Sequence, residues 1–117
     1  MFFMILTCND KEHTVDVDAH SFVNVRLEEN PTTGYRWEVE TAEGLTLVSD
    51  SFEPGGLLPG AAGMRVFQFR VPDAGTHNLS IKNWREWKGD SSIISRYYVT
   101  IVVKSKINKK QNKENLL

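Results

Sequence analysis

Apolar and polar residues alternate along most of this chain with a period of two. In FVNVRLE, residues 22–28, Val23, Val25 and Leu27 share one face while Asn24, Arg26 and Glu28 share the other. YRWEVE, residues 35–40, repeats this with Tyr35, Trp37 and Val39 set against Arg36, Glu38 and Glu40. Successive side chains of a strand point to opposite faces, so this alternation predicts strands with one buried side. The pattern returns at Val15 and Val17, at Phe67, Phe69 and Val71, at Leu79 and Ile81, and at Tyr97, Val99, Ile101 and Val103; the opening MFFMILT reads as a further strand. No stretch of ten or more residues shows the 3.6-residue period of an amphipathic helix.

Turn-forming clusters separate these runs: CNDKE, NPTTG, EPGGLLPGAAG, PDAG and WREWKGDSS. Seven or eight short strands at this spacing predict an all-β, immunoglobulin-like two-sheet β-sandwich, with a small barrel as the structural competitor. Trp37, just past NPTTG and on an inward position, is expected to anchor the core.

A chain of 117 residues, 40% hydrophobic and 25% charged, has room for one modest core. The net charge of −1 hides a division: residues 1–103 carry −5, and residues 104–117, with five Lys and one Glu, carry +4. The expected organisation is therefore a domain over residues 1–104 and a basic tail over 105–117. The Lys/Asn-rich tail lacks an apolar face and is expected to be disordered. An acidic body argues against nucleic acid as partner, because phosphate binding needs Lys and Arg clustered on a folded surface. No apolar run approaches the roughly 20 residues of a membrane-spanning helix. MFFMILT has no basic residue before it and runs straight into CNDKEH, so it reads as a strand rather than as a secretory core. The expected compartment is the cytoplasm, with lysosomal, vesicular or secreted locations as alternatives; the Asn78-Leu79-Ser80 sequon matters only in the last of these.

Catalysis needs reactive groups that converge, and the sequence offers few. The single cysteine, Cys8, allows neither a disulfide framework nor a CxxC metal site, and reads as a small structural hydrophobe. His13, His20 and His77 lie apart, without metal-ligand spacing, and the carboxylates read mostly as a solvated face. There is no GxSxG, P-loop or GxGxxG motif. The expectation is a binding protein rather than an enzyme, with no cofactor and no metal.

Three loops stand out instead. In NPTTGY, Pro31 fixes its own φ and biases Asn30 to extended backbone, while Gly34 permits positive φ or a close approach by another chain. Thr32 and Thr33 then sit at the apex of a stiff connection. WREWKGD places Trp84 and Trp87 around Arg85, and exposed Trp and Arg are enriched at binding hot spots. Counting strands from the first, NPTTGY, GAAG and WREWKGD are the B–C, D–E and F–G connections, which fall at one end of a sandwich.

NPTTGY, then GAAG, then AGTH followed by the RxW loop, in that order over roughly residues 4–104, resembles the chagasin family of protein inhibitors of papain-like cysteine proteases. The resemblance implies an immunoglobulin-like sandwich whose three loops form a wedge, and a partner that is a papain-like, cathepsin-like cysteine protease. It implies that Asn30, Pro31, Thr32, Thr33, Gly34 and Tyr35 enter the protease cleft, with the two threonines over its catalytic Cys and His. Gly60, Ala61, Ala62 and Gly63 would clamp one side of the cleft, corresponding to the family's GxGG segment. Arg85, Glu86 and Trp87 would take the other side, corresponding to its RPW segment, with Trp87 stacked on an aromatic region of the enzyme. Two positions depart from the family pattern. Ala62 replaces a usual glycine and adds a methyl group; Glu86 replaces a usual proline and is expected to make the third loop less rigid and more charged. The resulting expectation is a reversible inhibitor that excludes substrate and is a monomer when free; the alternative is a non-inhibitory immunoglobulin-like protein- or ligand-binding module.

Overall fold

The computed structural model describes residues 3–56 and 60–104. The 105–117 tail and Leu57–Pro59 lie outside the described residues. Eight strands are described: β1 (Phe3–Leu6), β2 (Thr14–Asp18), β3 (Phe22–Glu29), β4 (Arg36–Thr41), β5 (Thr46–Glu53), β6 (Gly63–Arg70), β7 (Gly75–Trp84) and β8 (Ser95–Lys104). They form two four-stranded sheets, ordered β1-β3-β6-β5 and β2-β8-β7-β4.

The sheets are mixed because the N-terminal segment is shared between them. β1 runs parallel to β3 in one sheet, and β2 runs parallel to β8 in the other. The crossing between them is made at CNDKE. There Thr7 caps a 3-10 turn over Cys8–Asp10, accepting from the Asn9 N–H, while the Asp10 carboxylate accepts the Thr7 N–H at 2.8 Å. Cys8 thus lies just beyond the strand and is exposed, which corrects its reading as a structural hydrophobe.

The inward faces are those that the alternation predicts. Val23, Val25 and Leu27 of β3 meet Phe67 and Phe69 of β6 within one sheet. Leu79 and Ile81 of β7, with Tyr97, Val99, Ile101 and Val103 of β8, form the opposing layer, and all of these are buried in one cluster. The Tyr97 hydroxyl donates to the Thr7 carbonyl at 3.0 Å. Burial first, and then Asp10 and Cys8, pushes its pKa up, so it stays protonated as a donor. Trp37 packs against the core but is only half-buried; its indole N–H donates to the Glu28 carbonyl at 2.9 Å.

β5 is the strand that no alternation announces. Among the described residues it pairs only with β6, and it is exposed along nearly its whole length, so neither face needs to be apolar. Its edge carries Asp50 and Glu53, paired with Arg65 and Arg26, and a register shift between Leu47 and Ser49. Such charges and irregularities discourage edge-to-edge pairing with other chains.

Candidate functional site

The connections β3–β4, β5–β6 and β7–β8 meet at one end of the sandwich, as expected, although each falls one strand later than the B–C, D–E and F–G of the sequence count. NPTTG folds as a single 3-10 turn over Pro31–Thr33. Each residue type has a local reason. Asn30 is the N-cap: its Oδ1 accepts the Thr32 N–H at 3.1 Å and the Thr32 hydroxyl at 2.7 Å. Pro31 takes the first position of the turn, where no N–H is needed. Gly34 closes it in the left-handed region, φ 81°, donating its N–H to the Pro31 carbonyl. The Thr33 hydroxyl donates to the Asn30 carbonyl at 2.8 Å and accepts the Tyr35 N–H at 3.3 Å.

Pro31, Thr32 and Thr33 are all exposed. Both threonine hydroxyls are already spent inside the turn. What the apex offers a partner is therefore small and already hydrogen-bonded, and can be desolvated without stranding those groups. The requirement for two threonines follows from the turn itself, since each hydroxyl ties a different part of it.

The base of this loop is held by Glu29, which is only 5% exposed. Its carboxylate accepts the Trp37 N–H at 2.7 Å and pairs with the Arg65 guanidinium, whose Nη2 lies 2.8 Å from Oε2 and whose Nε also donates to it. Arg65 reaches Asp50 on β5 as well, at 3.1 Å. Glu29 is an exception to the solvated face expected of the carboxylates, and it belongs to the site although the motifs do not include it. The signal was present: it continues the inward series Val23, Val25, Leu27, so alternation alone puts it inside.

The β5–β6 connection is joined to the first loop by Asn30 Nδ2, which donates to the Gly60 carbonyl at 3.2 Å. Gly60 has φ 81° and is exposed, Ala61 and Ala62 are half-buried, and Gly63 is buried as the first residue of β6, opposite Glu29. A side chain at Gly63 would collide with the Glu53 carbonyl and the Phe52 ring. Of the four predicted residues here, Gly63 serves the sheet and Gly60 joins the first loop through its carbonyl.

The third loop comprises two 3-10 turns, Glu86–Lys88 and Asp90–Ser92. Ser92 ties them together: its hydroxyl accepts the Arg85 N–H at 2.9 Å and lies within hydrogen-bond distance of the Arg85 and Gly89 carbonyls. Glu86 begins the first turn, and its carbonyl accepts the Gly89 N–H. Ties of this kind restrain the loop without a proline.

Arg85 and Trp87 part company in their roles. Arg85 turns inward, donating from Nε and Nη2 to the Thr33 carbonyl at 3.2 and 3.0 Å, with its guanidinium 4.3 Å from the Tyr35 ring centroid. It is a clamp on the first loop. Trp87 is 69% exposed, yet the edge of its indole seats on Gly34: a Cβ there would lie 2.6 Å from Cη2. The close approach that Gly34 permits is thus made by the chain's own tryptophan.

Among the described residues these contacts join the three loops before any partner arrives, and no nucleophile with a base positioned beside it is found among them. Among the described residues no group of three or more His, Cys, Asp or Glu side chains is placed to hold a metal.

Comparison with known proteins bears on what such a surface does. The family described as Chagasin family peptidase inhibitor I42 matches residues 16–101. Chagasin of Trypanosoma cruzi is 34% identical over 93 residues, covering 74% of this chain and 84% of that protein. Among solved structures, the cysteine protease inhibitor EhICP2 of Entamoeba histolytica superposes with a TM-score of 0.74 at 20% identity, over 87% of this chain and 95% of that one. PbICP-C, solved in complex with falcipain-2, gives 0.62 at 12% identity, over 86% and 89%. The last two likenesses are of fold: an immunoglobulin-like sandwich.

Proposed function

The chain belongs to the chagasin family of peptidase inhibitors, and from that premise we propose that its three-loop surface enters the active-site cleft of papain-like cysteine proteases and excludes substrate reversibly. The observation that carries this reading is the set of contacts between loops: Asn30 to Gly60, Arg85 to Thr33, and Trp87 on Gly34. A projection fastened in this way loses little conformational freedom on docking. An interface of standard size, about 1,600 Å², can then give nanomolar or tighter binding without any chemistry.

Resistance to cleavage follows from the same geometry. A cysteine protease attacks a carbonyl of a backbone laid along its cleft. Here Asn30–Gly34 is wound into a 3-10 turn, and the Asn30, Pro31 and Thr33 carbonyls already accept hydrogen bonds within the inhibitor. In this arrangement Asn30–Tyr35, Gly60–Ala62, Glu86 and Trp87 face the enzyme, and Arg85 acts as a positioning residue behind them.

The test is titration of the intact protein into papain and a cathepsin-like protease with a fluorogenic peptide substrate. The expected result is a tight, reversible loss of turnover, with the inhibitor recovered uncleaved. Unchanged turnover across several papain-like proteases would leave only the binding-module alternative.

Gly34→Ala gives a second check. The left-handed backbone costs an alanine about 1 kcal/mol, and its methyl group must also displace the Trp87 ring. Inhibition is expected to fall about tenfold, roughly 1.4 kcal/mol, and the strain should lower the melting temperature by about 4–8 °C. In a Trp87→Ala background the same change should cost less, because the collision is gone. Equal costs in both backgrounds would separate the two loops.

A further inference from the structure

The wedge is nearly free of charge, and the charges it does carry sit in one place. No Asp, Glu, Lys or Arg occurs from Asn30 to Tyr35 or from Pro54 to Gly63. The third loop has four ionised side chains, and two of them are committed. Arg85 is held by the Thr33 carbonyl and Tyr35, and Asp90 pairs with Lys82 at 3.5 Å, whose ammonium also lies 3.5 Å from the Trp84 ring centroid. Glu86 and Lys88 remain. Both are exposed, and among the described residues neither side chain has an ion pair or hydrogen bond.

These two residues bracket Trp87 within one 3-10 turn. At three residues per turn, successive side chains project about 120° apart, so a carboxylate and an ammonium leave the turn on either side of the exposed indole. An unpaired charge beside an interface hot spot costs little in the free protein and discriminates strongly on docking. Opposite charge is rewarded, and like charge is penalised.

Resting on the inhibitory reading above, we propose that Glu86 and Lys88 are the specificity determinants of this wedge. They select papain-like proteases whose cleft rim presents a basic side chain on the Glu86 flank of the surface that receives Trp87, and an acidic one on the Lys88 flank. The pair fixes register as well as choice, because sliding or rotating the wedge would bring like charges together.

The discriminating variant is the double exchange Glu86→Lys/Lys88→Glu, which keeps composition and net charge and reverses only the local order. Association and inhibition are measured against whichever papain-like protease the parent protein inhibits most strongly, at low salt and at about 0.5 M salt, where screening shortens to a few ångströms. The expected result is association slowed about tenfold at low salt, with the difference largely lost at high salt. Thermal melting should be unchanged, since neither side chain bonds within the protein. Parent-like rates for the exchanged protein at both salt concentrations would overturn the assignment. If the parent itself inhibits no protease, it is the inhibitory reading that fails.

Discussion

Alanine in place of Trp87 is expected to weaken inhibition about 30-fold or more, because truncating a hot-spot aromatic costs about 2 kcal/mol or more. Trp87 combines two properties that seldom coincide. It is 69% exposed and outside the core cluster, so the fold does not need it, yet its ring edge rests on Gly34 and its backbone belongs to a turn fastened by Ser92. A large aromatic surface held still before docking gives up contact area without a large loss of side-chain freedom. Removing it should therefore leave thermal melting within about 0.5 kcal/mol of the parent while raising the inhibition constant. Measured together on the same preparation, the two quantities separate a lost contact from a damaged fold. Equal potency in the variant would take the third loop out of the binding surface.

How plainly a strand shows in the sequence depends on how much of it is buried. β3, β6, β7 and β8 each bury one face against the opposing sheet, so burial imposes a period of two and the core residues can be named without coordinates. β5 buries almost nothing. As an edge strand it is defined by hydrogen bonds to β6, and backbone hydrogen bonding leaves little trace in side-chain identity. The loops follow a similar division. Stiffness in NPTTG was legible because Pro, Gly and a capping Asn each act on their own backbone. The partners of Arg85 and Gly34 were not, because they come from a connection some 50 residues away. A guanidinium that clamps the Thr33 carbonyl looks the same in sequence as one presented to an enzyme.

Glu29 shows where a local rule and a global one cross, and it supports the largest expected effect on stability. Glu29→Ala is expected to destabilise the fold by about 2–3 kcal/mol, because it leaves the Trp37 N–H without its acceptor and takes from Arg65 one of its two carboxylate partners, Asp50 remaining. That is a large share of the roughly 5–15 kcal/mol by which such domains are stable, and a urea titration would read it as a lower midpoint. Two controls give the number its meaning. Glu29→Gln keeps an amide oxygen that can accept from the Trp37 N–H or from Arg65, which alanine cannot, so this variant should lose less than the alanine. Glu29→Met with Arg65→Met removes both charges together and should recover much of the loss, since replacing a buried pair by apolar side chains is often neutral or better. The three variants diverge in function. Glu29 joins the last residue of β3 to the backbone of β4 across the foot of the NPTTG turn, so a methionine pair can restore packing but cannot accept the Trp37 N–H. The double variant is therefore expected to regain stability while inhibiting more weakly than the Gln variant per folded molecule. If potency instead follows stability through all three, Glu29 supports the sandwich alone and the wedge is held by Arg85 and Asn30.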